Sequence, residues 1–271
     1  MSSINKTKQN TKLSILNLFA AENATMLLAI YVSMVVVEVA VFYILGLEYE
    51  PELIEAAVFA ARLPIYLVMA VSYVLMCYIL SNTLGSKTGK PIYTIQRLLT
   101  SENELFRLNW IYNTAAFITY IGFQALAALL MIAIYNAKGF AVGGPQNILM
   151  ALYRTPFFHS VVPMKNWFLI LRNVIYVWSL GVLTAYKSQK SREGVAAYEF
   201  YVVAILAGVT FIYDPMGVGN LSLRLRDLFG MIISLIVTLL GLSSAKTHRR
   251  EKWAHDEFEA SINEYRQQDE E

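Results

Sequence analysis

Charge and cysteine are what this sequence has least of. Only 15% of its 271 residues are charged, against about a quarter in an ordinary soluble domain. The single cysteine, Cys77, excludes an internal disulfide framework and a cysteine metal site. Three histidines, His159, His248 and His255, are too scattered to predict a metal centre. Aspartate is absent until Asp214, and Asp227 is the only other one before the C-terminal tail, so no intramembrane aspartate pair exists. HExxH and GxSxG are both missing. GSKTGKP (85–91) looks superficially like a phosphate loop, but its glycines are one residue too close and a proline stands where the magnesium-binding Ser or Thr is needed. The chain is therefore not expected to be an enzyme or to hold a cofactor or metal of its own, and no nucleic-acid partner is expected.

What the sequence has instead is apolar length. Hydrophobic residues make up 56% of it, and the mean hydropathy is +0.47. A helix needs roughly 20 apolar residues to cross a bilayer core of about 30 Å, because lipid leaves each backbone amide to be satisfied inside the helix. Six stretches meet this demand: 24–47, 57–81, 109–135, 166–186, 195–213 and 228–245, the last two being the shortest. The alternation of an outer-membrane barrel is absent. The expected fold is an all-α membrane protein with six transmembrane helices. No small-residue cleavage site follows the first stretch, which is read as a retained helix.

Cations set the expected orientation. Fifteen Lys and Arg fall before the first span, between spans two and three, between four and five, and in the tail; five fall in the alternate connections. That bias predicts cytoplasmic N- and C-termini. The division of the chain is then 1–23, a cytoplasmic N-terminal segment; 24–245, the six-helix membrane domain; and 246–271, a cytoplasmic tail helix. In KLSILNLFAAE (12–22), Leu13, Leu16 and Phe19 recur at helical spacing. They suit either an interfacial helix lying on the membrane or the first turns of a long first helix. The connection 136–165 is long and apolar; ILMALY within it can form a short helix, and the whole reads either as a cap over the outer mouth or as a loop resting on headgroups.

Charges inside spans need a physical reason, since one at mid-membrane costs about 2.5–3.5 kcal/mol on insertion scales. Glu199, near the inner end of the fifth span, reaches the cytoplasmic interface, which leaves three: Glu38, Arg62 and Arg172. Glu38 lies about 12 Å, and Arg172 about 9 Å, from the same expected face, with Arg62 at a comparable depth. Glu38 is expected to pair with Arg172 or Arg62, as a staple of the bundle or as the lining of a polar path. The alternative is that either arginine snorkels outward alone.

Between spans two and three lies TIQRLLTSENELFRLNW (94–110). Ser101 with Glu104 forms a capping box, so a helix restarts at Ser101 and runs into span three. Ahead of it Ile95, Leu98 and Leu99 recur on a short basic segment with Arg97. The product is a brief amphipathic helix, a capped corner and a transmembrane helix. The plain reading is an interfacial spacer between two spans.

Here the sequence resembles a family. The run GKPIYTIQRLLTSENELFRLNWIYN is similar to the segment between spans two and three of ABC-2-type permeases, the membrane subunits of ATP-driven exporters. The resemblance is specific over about 85–113, and it departs from the family at Thr100, where proline is frequent, and in the position of the long outer connection. FHSVVPMKNW (158–167) resembles permeases of Gram-positive bacteria found beside antibiotic- or peptide-exporting ATPases. The resemblance implies a coupling helix at the cytoplasmic face, with Arg97, Leu98, Leu99, Thr100, Ser101, Glu102 and Glu104 meeting a separate ABC ATPase. It implies ATP and magnesium on that ATPase, a second permease subunit, identical or not, and a bacterial cytoplasmic membrane with its lipid as surroundings. The implied function is export of an amphipathic substrate such as a peptide, an antibiotic or a lipid. Two rival readings are a non-transporting membrane scaffold or sensor that recruits partners through its tail, and a membrane enzyme built around His159.

Overall fold

The computed structural model describes residues 2–48, 50–83, 102–139, 147–155, 167–192, 195–212 and 225–244, and the side chains among them from Lys12 onward except those of 153, 154, 192, 211 and 212. All of the regular structure in these residues is helical. Helix α1 (Ser2–Val41) ends in a π-helical turn, Phe42–Gly46; α2 is Ile54–Ser81, α3 Glu102–Lys138, α4 Ile148–Arg154, α5 Trp167–Arg192 and α6 Tyr198–Ile212. The last helix, α7, is Leu225–Ser244. Five segments are long and apolar enough to cross a membrane: Lys12–Gly46, Ile54–Ser81, Glu102–Lys138, Trp167–Ser191 and Leu225–Ser244. Within the fifth predicted span, 195–213, the helix described is α6. The 15 residues of α6 rise about 22 Å, less than a bilayer core of about 30 Å.

Side-chain contacts fix the directions. Tyr31 on α1 meets Ala116 on α3, and Glu38 meets Gln124, so α1 and α3 run parallel. Asn23 bonds to Thr83 and Tyr31 to Met76, which makes α2 antiparallel to α1. Asn113 bonds to Thr184, Thr114 meets Gly181, and Tyr120 and Ile121 border one cavity with Val177, so α5 is antiparallel to α3. Arg172 meets Asp227 at one end and Tyr186 meets Ser244 at the other, so α7 runs in the same direction as α5. Between these levels α6 returns, with Phe200 beside Lys187 and Thr210 beside Tyr176. The end of the bundle where α2 stops and α3 starts is called the proximal face below; the other is the distal face.

Helix α1 is continuous from Ser2 to Val41. Of the two readings of 12–22, the structure takes the long first helix and has no separate interfacial one. Asn23 is level with the end of α2, so the eleven residues back to Lys12 project about 16 Å beyond it. The start of α3 projects alongside. The two are joined by a small core of Ile15, Phe19, Leu105 and Leu108, with Leu16, Leu18 and Tyr112 packed against it. Lys12 and Glu104 close its end with an ion pair at 3.3 Å.

The main core lies within the bundle, and close approaches are made where side chains are smallest. A Cβ on Gly181 of α5 would lie 3.0 Å from Thr114 Cα on α3, and one on Gly46 would lie 2.9 Å from the carbonyl oxygen of Ala57. At the distal face, α3 stops where Gly139 takes the left-handed conformation, φ +70°, at little steric cost. The predicted short helix in the long connection is present as α4. Asn147 caps it by accepting from the Leu149 amide at 2.9 Å, and its Ala151 and Leu152 are buried.

Candidate functional site: a buried polar seam

Helix α3 turns a polar stripe into the bundle. Asn109, Asn113, Tyr120 and Gln124 recur at spacings of four, seven and four, which keeps them on one helical face, and all four are buried. At the proximal end Asn113 Nδ2 donates to Thr184 Oγ1 at 2.9 Å. Thr184 in turn donates to the Leu180 carbonyl at 2.7 Å. At mid-height Tyr120 donates to the Met69 carbonyl at 2.9 Å and lies 3.2 Å from Ser72 Oγ. Beside it Tyr31 donates to the Ala116 carbonyl at 2.9 Å. Toward the distal end Gln124 Nε2 donates to Glu38 Oε1, also at 2.9 Å.

Several polar atoms along this stripe have no hydrogen-bond partner among the described residues: both ends of the Asn109 amide, Asn113 Oδ1, Thr114 Oγ1, Gln124 Oε1 and Glu38 Oε2. Each such atom in an apolar interior costs free energy comparable to a lost hydrogen bond. A seam of this kind is poorly held in one packing and well suited to have its partners changed. It is not an open path. A cavity of about 20 Å³ bordered by Tyr73, Phe117, Tyr120 and Gln124 has room for about one water.

The intramembrane charges are arranged differently from the expectation. Glu38 does not meet an arginine; its partner is Gln124. Arg172, fully buried, bonds to Asp227 at 3.1 Å and to the Asn173 side chain through Nε and a terminal nitrogen at 3.2 and 3.1 Å. Asp227 also accepts from Arg226 at 3.0 Å. Arg62 faces outward, its guanidinium 3.9 Å above the Phe59 ring one helical turn earlier. Similar depth along two spans cannot choose the partner. Glu38 and Arg172 share a level, but α1 and α5 lie on opposite sides of α3.

Asp227 is the functional residue that sequence reasoning missed, having been assigned to a connection. It lies in α7, one residue before the predicted span 228–245. The signal for it was LRLRDLFG, an acid among arginines at the mouth of an apolar run, at the depth of Arg172.

Of the predicted coupling residues, Arg97, Leu98, Leu99, Thr100 and Ser101 lie outside the described residues. Glu102 and Glu104 are in the first turn of α3, where the capping box predicted the helix to restart. The tail 246–271 and His159 also lie outside them. Among the described residues, no three His, Cys, Asp or Glu side chains gather into a metal site. Comparison with protein-family models, with curated proteins and with solved structures finds no match.

Proposed function

We propose that the chain is a permease subunit of an ABC-type exporter. In this reading six crossings leave both termini in the cytoplasm of a bacterial cell, and ATPase subunits act on the proximal face. The observation that carries it is the braced pair formed by α1 and α3. The segment 94–104, which resembles a coupling helix, leads directly into the first turn of α3, and that turn is packed to α1 through Ile15, Phe19, Leu105 and Leu108. A push on the segment would reach two parallel helices at once. Both helices border the polar seam, whose unpartnered atoms Gln124 Oε1 and Glu38 Oε2 sit between them. Sliding α3 against α5 or α1 would exchange one set of partners for another, as a change between two packings close in energy requires.

Six crossings are supported by α5 and α7 running in the same direction with α6 antiparallel between them, since the chain must return to the distal face before α7 can start there. The closed seam in a single chain suits a path formed with a second permease subunit. An amphipathic substrate, whether peptide, antibiotic or lipid, suits an interior that is apolar with a narrow polar stripe. The rival scaffold reading rests on the tail 246–271, which lies outside the described residues.

The test is co-purification of an ATPase with the tagged full-length chain, together with charge reversal at Glu102 and Glu104. The permease reading expects ATPase recovery, and loss of transport with intact membrane insertion in the reversed variant. A cysteine placed at position 97 decides orientation, because Cys77 is buried and gives little background. Labelling of position 97 by a membrane-impermeant maleimide from outside intact cells would overturn the reading.

A further inference from the structure

Helices α2 and α6 diverge toward the proximal face and leave a cleft of about 680 Å³, within the range of small-molecule sites. Its walls are apolar: Val74 and Cys77 from α2, Ala204, Ile205 and Val209 from α6. Several wall residues are open to the bundle's exterior, which for a membrane helix is lipid; Val74 is 61% and Ile205 65% exposed. Tyr73 bonds to the Ala204 carbonyl at 2.9 Å, and a Cβ on Gly208 would lie 3.1 Å from its ring. Contact between the two helices is therefore confined to one place and leaves the rest of the groove unfilled.

At the proximal end of the groove stands Lys187 of α5, the one charged side chain among the described residues that line it. Its ammonium lies 3.1 Å from Ser81 Oγ and 4.8 and 4.6 Å from the centres of the Phe200 and Tyr201 rings. These are a hydroxyl and two aromatic faces, and no carboxylate among the described residues pairs with it. A cation so placed is positioned but not neutralised. It lies five residues, about 8 Å, before the end of α5, within a lysine's reach of the headgroup layer. The start of α6 adds the positive end of a helix dipole to the same corner. Ser81, Asn82 and Tyr78 bring further polar groups there.

We infer that this cleft binds an anionic membrane lipid, with its acyl chain along the α2–α6 groove and its phosphate at Lys187. Charge selects the occupant, because a zwitterionic lipid brings a quaternary ammonium along with its phosphate, and that second cation is repelled by Lys187. The site needs only that α2 and α6 lie in a bilayer, and it does not rest on the permease reading.

The experiment uses the full-length chain in nonionic detergent with mixed micelles of phosphatidylglycerol and phosphatidylcholine, and native mass spectrometry to count retained lipid. Wild type is expected to retain phosphatidylglycerol over phosphatidylcholine by roughly tenfold, the size expected of one like-charge repulsion across a few ångströms in the headgroup layer. Lys187→Gln should abolish the preference and Lys187→Arg keep it. Ile205→Trp, which fills the groove from an exposed position, should reduce retention of both lipids. Equal retention of the two lipids by wild type, an undiminished preference in Lys187→Gln, or unchanged retention in Ile205→Trp would each overturn the site. So would a second copy of the chain found crosslinked across the groove in place of lipid. Should Lys187→Gln fail to insert, Ile205→Trp decides, since its side chain leaves the core untouched. ATPase co-purification is read separately, so loss of the lipid site and loss of the transporter reading are distinguishable.

Discussion

Glu38 of α1 accepts a hydrogen bond from Gln124 of α3 at 2.9 Å, joining the two parallel helices by a carboxyl and an amide, both buried. The amide satisfies one carboxyl oxygen and leaves the other, along with its own oxygen, without a partner. Such a pair holds a position without locking it.

Removing the donor should therefore cost more than altering the acceptor. Gln124→Leu is expected to destabilise the protein by about 1–3 kcal/mol, because a buried carboxyl is left without its donor. Glu38→Gln, which retains an oxygen for Gln124, should cost under about 1 kcal/mol, in line with the small values measured for hydrogen bonds between membrane helices. Thermal unfolding in detergent measures both, and equal losses would contradict the assignment of roles.

Breaking the distal ion pair should be the more damaging change. Asp227→Asn takes from Arg172 the carboxylate at 3.1 Å and is expected to cost about 3–5 kcal/mol, the penalty for stranding a buried charge. The double variant Arg172→Leu with Asp227→Leu should recover much of that loss. Glu38→Gln combined with Asp227→Asn should be additive, since the two sites share no partner.

The α3–α5 crossing tolerates no side chain at position 181. Gly181→Ala would bring a Cβ to 3.0 Å from the Thr114 backbone, and the helices must separate to admit it. A loss of about 1–3 kcal/mol is expected from such overpacking. Gly122→Ala is the control: a Cβ there meets nothing within 4 Å, so stability should hold or rise slightly from the better helix propensity of alanine.

The brace between α1 and α3 should depend on its apolar core and not on its ion pair. The Lys12 and Glu104 side chains are 49% and 27% exposed, and pairs of that kind contribute at most about 1 kcal/mol. Phe19, fully buried, should cost about 3 kcal/mol or more on replacement by Ala. Proteolysis of the N-terminal segment in membranes reads the difference: Phe19→Ala is expected to speed cleavage between residues 2 and 22, and Lys12→Ala to leave it nearly unchanged. If the permease reading holds, Phe19→Ala should also weaken coupling without removing insertion.

Helix positions were legible because the physics that sets them is one-dimensional. A span must be apolar over a fixed length, and 57–81, 109–135, 166–186 and 228–245 each fall within or nearly within an observed helix. Short-range signals also marked α4 through Ile148–Tyr153. The segment 195–213 shows the limit of this approach: its composition is apolar enough, but α6 is only 15 residues long, and its direction becomes visible only through Lys187 and Tyr176.

What the sequence by itself determined is the class of molecule and the place of most of its helices, because hydrophobic length and helical rise are properties of a segment alone. Only the tertiary structure decided that Glu38 faces Gln124, that Arg172 faces Asp227, that α1 and α3 share a projecting core, and that Lys187 borders a groove. Each of these depends on the rotation of a helix about its own axis and on which neighbour it touches. Those choices are settled by packing among segments distant in the chain, where depth along the membrane normal says nothing about direction within the plane.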